Sequence, residues 1–212
     1  MSEKPSIATL GALKASGYQF KSVAEELKHN LLLAISNNQH VFEGVLDYED
    51  TVIPELKRAI LAKHHINFLG MRGQAKTRMA RMMVELLDPW IPVIKAIPIP
   101  DDPLAPVLPQ SKRLIEELGD ETPIDWMHRS DRYVEKLATP DVTVADLIGD
   151  IDPIAAARKG TGLGDEDALF FGLIPKANRC LFVLNELPDL QARIQVALFN
   201  ILQEGDIQIR SF

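Results

Sequence analysis

The sequence is short of cysteine and of long apolar runs. Its only cysteine, Cys180, excludes an internal disulfide and a zinc site built from several cysteines. Its apolar runs, such as residues 31–35, are far shorter than the roughly 20 residues that a membrane-spanning helix needs. The N-terminal residues lead into no sustained apolar segment of the kind found in signal peptides. We therefore expect a cytoplasmic protein with no membrane span.

Positive charge is also scarce. The chain has 23 lysines and arginines against 30 aspartates and glutamates, which gives a formal net charge of −7. This balance disfavours a nucleic-acid partner or an anionic membrane surface. There is no internal repeat. With 212 residues, 46% of them hydrophobic, the chain can bury a sizeable core, either as one large domain or as one domain with an appendage.

One stretch, GMRGQAKT at 70–77, combines glycines with a lysine and a threonine. The apolar residues 66–69 before it predict a short strand. Behind it, apolar residues at 79, 82, 83, 86 and 87 have helical spacing, and Pro89 ends that pattern. The segment therefore predicts strand, loop and helix in succession.

This order of elements is typical of a phosphate-binding loop with the pattern G-x-x-x-x-G-K-[ST]. In such a loop, backbone N–H groups and the helix N-terminus surround phosphates, the lysine reaches the β and γ oxygens, and the threonine hydroxyl binds Mg²⁺. Ala75 departs from the pattern, because glycine is usual before the lysine. The alternative is a glycine-containing turn before an ordinary surface helix. The predicted nucleotide-binding residues of the loop are Gly70, Met71, Arg72, Gly73, Gln74, Ala75, Lys76 and Thr77.

The residues before the loop predict a helical leader and a connector. Residues 1–38 form the leader, in which Ser22 and Glu25 have the spacing of a capping box. The connector around Val45 and Leu46 is expected next to the base of the loop, where it would contact adenine. A further helix is expected from about Thr51.

The residues after the loop helix form a proline-rich insertion at about 90–140. It predicts a short strand at 93–97 and helices at 111–118 and 124–137. A mobile loop is expected at 160–167, and the first strand of a hairpin at 206–210.

A second signal is the apolar run 181–184 followed by Asn185 and Glu186. It predicts a buried parallel strand whose C-terminal end meets the nucleotide. In a phosphate-loop ATPase the first of these two polar positions orients Mg²⁺ and the glutamate activates the attacking water. Asn185 brings no negative charge, so we expect weaker Mg²⁺ binding than an aspartate would give. Pro188 then starts a helix that ends at Gly205.

Together, GMRGQAKT, ANRCLFVLNELPDL and QARIQVALFNILQEGDIQIR resemble the AAA+ ATPases, specifically the branch of magnesium-chelatase ATPase subunits and MoxR-type proteins. The resemblance covers about residues 39–212, and alanine before the lysine also occurs in this branch. It implies an α/β fold with a three-layer P-loop NTPase core around a parallel sheet. The core would follow the helical leader, and the C-terminal helical lid would be absent.

The resemblance also implies function. ATP and Mg²⁺ would be the ligands, with Glu186 as the catalytic base and Thr77 and Asn185 at the metal. Hydrolysis would remodel a partner protein, and the full-length protein would form a homo-oligomeric ring. The sensor, arginine finger and lid would lie beyond residue 212, so we expect a fragment that alone hydrolyses ATP slowly or not at all. The alternative is a nucleotide-binding regulator or adaptor that does not hydrolyse ATP. An enhancer-binding transcription activator is disfavoured, because no Gly-Ala-Phe-Thr-Gly-Ala loop occurs.

Overall fold

The computed structural model describes residues 3–71, 73–151 and 169–205. The chain divides into two compact units: Met1–Tyr133 with Arg179–Leu181 form unit 1, and Val134–Asn178 with Phe182–Phe212 form unit 2. The described part is mixed α/β with small sheets, and none of its helices is long and apolar enough to cross a membrane. The predictions for Arg72, the loop at 160–167 and the strand at 206–210 lie outside the described residues.

The described part of unit 1 contains five α-helices, and side chains cap the first turns of two of them, through Thr9 and Ser22. Both halves of the predicted capping box are present: Glu25 N–H donates to Ser22 Oγ at 3.3 Å, and Ser22 N–H donates to Glu25 Oε2 at 3.0 Å. The helices are α1 (Leu10–Ala15), α2 (Val23–Ser36), α3 (Val52–Leu61), α4 (Lys76–Met82) and α5 (Pro109–Leu118). The expected helices at the leader, after the connector, after the loop and at 111–118 are therefore confirmed.

One hydrophobic core joins the leader to the loop helix. Leu31 of α2, Leu56 of α3 and Met79 of α4 are all buried in it. The connector contributes Phe42 and Val45 to the same core. Burial of a large apolar side chain contributes about 1.5–3 kcal/mol, so these contacts hold the connector and α4 in place.

The predicted helix at 124–137 is wrong. These residues form strands β2 (Ile124–His128) and β3 (Tyr133–Leu137), with a short 3₁₀ turn, Arg129–Asp131, between them. Strand β2 pairs antiparallel with β1 (Trp90–Ile94), and Ile124 lies opposite Ile94. Ile124, Trp126 and His128 stand at every second position, as residues on one face of a strand do. The hydrogen bonds to β1 stabilise this strand in place of the predicted helix.

The predicted strand at 66–69 is also wrong. Ile66 and Phe68 pack against the core of unit 1 while Asn67 and Leu69 are exposed, so the side chains alternate. The segment has no β partner among the described residues. Alternation alone therefore does not make a strand here, because the ladder hydrogen bonds are missing.

Unit 2 contains the parallel strand pair. Strand β6 (Leu181–Asn185) lies beside β3, and Ala138 N–H just after β3 donates to Asn185 O at 2.8 Å. The strand is parallel as predicted, but it is half-buried along its length and not buried. The other described elements are α6 (Val144–Leu147), β4 (Gly149–Ile151), β5 (Leu169–Phe171), α7 (Leu173–Lys176) and α8 (Ala192–Glu204). Strands β4 and β5 pair antiparallel. Gly205 ends α8 in the left-handed region, φ 75°, as predicted, but α8 begins at Ala192 and not at Pro188, which lies in a short 3₁₀ turn, Leu187–Asp189.

Candidate functional site

The loop before α4 turns through two residues of left-handed backbone. Gly73 has φ 83°, and Ala75 has φ 55° and ψ 15° immediately before Lys76 begins the helix. This conformation costs an L-residue with a Cβ about 1–2 kcal/mol, which is why glycine is usual at such positions. Ala75 thus adopts the backbone geometry that glycine would supply.

Contacts within the loop close it on itself. Lys76 Nζ donates to the carbonyl oxygens of Gly70 and Met71, both at 2.7 Å. Met71 N–H donates to Gln74 Oε1 at 2.8 Å. The lysine ammonium therefore lies at the start of the loop, and Thr77, half-buried, follows it in the first turn of α4. A cation and a hydroxyl at adjacent positions are the groups that bind a phosphate and its metal ion.

A cavity of about 400 Å³ lies beside this loop, within unit 1. Its lining consists of residues 44–48 of the connector, residues 73–75 of the loop, and Arg78. Val45 is buried, with 4% of its surface exposed, whereas Leu46 is 74% exposed. The structure therefore brings the connector and the loop together around one space, whose volume falls within the usual range for small-molecule sites.

Four residues of this cavity were missed by the sequence reasoning: Gly44, Asp47, Tyr48 and Arg78. Asp47 and Tyr48 directly follow the two connector residues that were predicted. Arg78 directly follows the loop threonine, so its position was a usable signal. The connector and α4 lie far apart along the chain, so the sequence does not show which of their residues come into contact.

The other two predicted residues, Asn185 and Glu186, belong to unit 2, at the C-terminal end of β6. Asn185 Nδ2 donates to Glu135 Oε1 of β3 at 2.5 Å. This contact uses the amide nitrogen of Asn185 and brings a carboxylate that the sequence motif does not contain next to it. The amide oxygen and carboxylate are donors that Mg²⁺ accepts. Glu186 itself has left-handed backbone, φ 57°.

Buried charges of unit 1 fix the residues that lead into β6. Arg132 and Glu26, exposed by 0% and 1%, form a bidentate pair at 2.7 and 2.8 Å. Arg132 Nε also donates to Arg179 O at 2.8 Å. The Arg179 guanidinium lies 2.8 Å from the buried carboxylate of Asp102. These contacts hold Arg179 within unit 1, two residues before β6 begins.

Two titratable groups in this network have shifted pKa values. Burial raises the pKa of Tyr18, whose hydroxyl donates to Asp102 at 2.8 Å. Burial also raises the pKa of Cys180 to about 11, so its thiol is protonated at neutral pH. Among the described residues, no group of three or more His, Cys, Asp and Glu side chains is arranged to hold a metal ion.

Comparison of the chain with protein-family models, with curated proteins and with solved structures finds no match.

Proposed function

We propose that this protein binds ATP through the loop at 70–77 and is an AAA+ ATPase of the magnesium-chelatase and MoxR-type branch, with a three-layer P-loop core. The observation that carries the proposal is the loop backbone, with left-handed Gly73 and Ala75 leading directly into Lys76 and Thr77 at the start of α4. The adjoining cavity supports it, because a nucleotide needs room beyond its phosphates.

In this proposal Lys76 binds the terminal phosphates. Its present acceptors are two carbonyl oxygens, and phosphate oxygens carry more negative charge, so the ammonium can exchange one set for the other. Thr77 would hold Mg²⁺ in unit 1, and Asn185 with Glu135 offers the donor set in unit 2. Mg²⁺ supplies charge neutralisation at the phosphates when bound. Glu186 would accept the proton of the attacking water.

The resemblance extends the proposal to biological role. Hydrolysis of ATP in a homo-oligomeric ring would drive the remodelling of a partner protein. The half-buried pair of Asn185 and Glu135 does not favour a regulator without hydrolysis, because the carboxylate missing at 185 is present in its neighbour. Hydrolysis is therefore the preferred proposal, and binding without turnover is the alternative outcome.

The first test is nucleotide binding by Lys76→Ala. Losing a charge-assisted contact removes about 1.5–3 kcal/mol, which corresponds to an affinity about 10- to 150-fold weaker. We would titrate wild type and variant with an ATP analogue that carries a fluorophore on the ribose, with and without Mg²⁺. Lys112→Ala is the control, because it removes one exposed lysine of unit 1 far along the chain. Equal affinity in Lys76→Ala and wild type would refute the loop assignment.

The second test separates hydrolysis from binding. Glu186→Gln keeps the size of the side chain but removes the base, so we expect unchanged ATP affinity and loss of phosphate release at steady state. If the wild-type chain releases phosphate and Glu186→Gln releases it at the same rate, Glu186 is not the catalytic base.

A further inference from the structure

The side chain of Gln74 folds back onto the start of the loop at 70–77. Its Oε1 atom accepts a hydrogen bond from Met71 N–H at 2.8 Å. Lys76 Nζ meanwhile donates to the carbonyl oxygens of Gly70 and Met71. Two donors of the loop, a backbone N–H group and an ammonium, are therefore bonded to uncharged oxygens of the loop itself.

Gly70 provides the space that the Gln74 amide occupies. A Cβ atom added at residue 70 would lie 2.2 Å from Gln74 Oε1 and 3.4 Å from Gln74 Cδ. Gly70 is not among the glycines with left-handed backbone, so this close approach, and not the backbone conformation, accounts for a glycine here. The Gln74 amide thus lies directly against the backbone of Gly70, beside the Met71 N–H group that it binds.

A phosphate that binds to Met71 N–H has to replace the Gln74 oxygen. A phosphate oxygen carries negative charge and is a stronger acceptor than an amide oxygen, so the exchange favours the ligand. Gln74 is exposed, so its amide can turn into water and form hydrogen bonds there. Breaking one hydrogen bond of ordinary net strength still lowers the apparent affinity of a ligand by roughly two- to tenfold.

We propose that Gln74 is an internal competitor of the bound phosphates: its side-chain oxygen occupies Met71 N–H in the ligand-free protein, and the phosphates must displace it to bind. This inference rests on the proposed function, since it assumes that the loop binds phosphates. It assigns two arrangements to the loop, one closed by Gln74 and one open to phosphate. The side chain at residue 74 then sets how tightly the loop binds any polyphosphate.

The first measurement is the affinity of the full chain for ATP and for inorganic tripolyphosphate by calorimetry, both with Mg²⁺. Gln74→Met keeps the length of the side chain and removes its amide. Gln39→Met is the control, because it makes the same change at an exposed glutamine of unit 1 outside the loop. Because the competition concerns phosphates alone, we expect Gln74→Met to bind both ligands about two- to tenfold more tightly than Gln39→Met does. Circular dichroism checks that each variant is folded.

The second measurement is the exchange of the Met71 amide proton with water in the ligand-free protein, followed by NMR. Gly70→Ala is added here, because its methyl group displaces the Gln74 amide without changing residue 74. Both Gln74→Met and Gly70→Ala should speed the exchange of this proton by about two- to tenfold relative to wild type, because each frees Met71 N–H.

Weaker binding of the two ligands by Gln74→Met would overturn the inference and make Gln74 a contact of the ligand. A gain for ATP alone would overturn it too, because competition at the phosphates acts on both ligands. Equal affinities in Gln74→Met and Gln39→Met, or an unchanged exchange rate of Met71 in both loop variants, would also overturn it. In each of these cases ATP binding by wild type leaves the proposed function standing. If wild type binds neither ligand, the proposed function fails, and this inference fails with it.

Discussion

The contact between Asn185 and Glu135 can be tested by adding a second carboxylate at position 185. A control variant exchanges the amide and the carboxylate between the two positions. Asn185 Nδ2 donates to Glu135 Oε1 at 2.5 Å, and both side chains are half-buried on the parallel strands β6 and β3. Asn185→Asp replaces the donor with a second carboxylate. The hydrogen bond is lost, and two like charges meet.

The cost follows from Coulomb's law. Two unit charges 4 Å apart repel by about 1 kcal/mol in water and by about 4 kcal/mol at an effective dielectric constant of about 20. Half-buried carboxylates fall between these limits, so we expect Asn185→Asp to destabilise this strand pair by about 2 kcal/mol at pH 7. The repulsion raises one carboxyl pKa of the pair, so the cost shrinks as the pH falls toward 4.

Hydrogen exchange measured by mass spectrometry is the appropriate assay, because both tryptophans, Trp90 and Trp126, lie in unit 1 and do not report on unit 2. The amide of Ala138 donates to Asn185 O at 2.8 Å and reports the opening of this pair. A loss of about 2 kcal/mol makes its exchange about 30-fold faster. Mg²⁺ should restore the protection in Asn185→Asp and bind more tightly than in wild type.

The matched control is the exchanged pair Glu135→Gln/Asn185→Asp. It has one carboxylate and one amide, as wild type does, with the donor now at 135. We expect wild-type protection of Ala138 without Mg²⁺. If Asn185→Asp alone exchanges at the wild-type rate at pH 7, the two side chains are not in contact. If the exchanged pair is as unprotected as the single variant, the loss comes from position 185 itself and not from repulsion.

Two further predictions concern the stability of unit 1, measured by tryptophan fluorescence in urea. Glu26→Gln leaves the buried Arg132 charge uncompensated and should lower the free energy of unfolding by about 3–5 kcal/mol. The double variant Glu26→Leu/Arg132→Met should lower it by less, because no charge remains buried. A double variant less stable than Glu26→Gln would contradict this. Hydrogen bonds from Lys63 and Ser22 lower the pKa of Glu25 from 4.5 to about 2, so its contribution is present above pH 5 and lost as the pH falls toward 2. Because Glu25 is exposed, Glu25→Gln should cost only about 1 kcal/mol at pH 7 and nothing near pH 2; an equal cost at both values would contradict the linkage.

The sequence predicted local features well where residues close along the chain decide them. The capping box needs only Ser22 and Glu25, three residues apart, and both of its hydrogen bonds are present. The end of α8 needs only Gly205. In each case the same few residues supply the signal and the interaction.

Features that depend on distant partners were not predictable. The apolar and aromatic residues of 124–137 fit a helix or strands by spacing alone, and the partner strand β1, about 30 residues earlier, decides the outcome. The segment 66–69 has the alternation of a strand but lacks a partner. Glu135 and Arg78 were missed for the same reason: Asn185 lies 50 residues from Glu135, and nothing in the spacing between Gly44 and Arg78 shows that they meet.

The two departures from the usual phosphate-loop ATPase pattern, Ala75 and Asn185, both have a local physical account. Ala75 adopts the left-handed backbone of the glycine that it replaces, at a cost of about 1–2 kcal/mol, while its side chain packs against the core of unit 1. Asn185 donates to Glu135, a contact that an aspartate could make only by taking up a proton. The backbone geometry is retained at one position and a carboxylate lies beside the other, which supports the proposed nucleotide site.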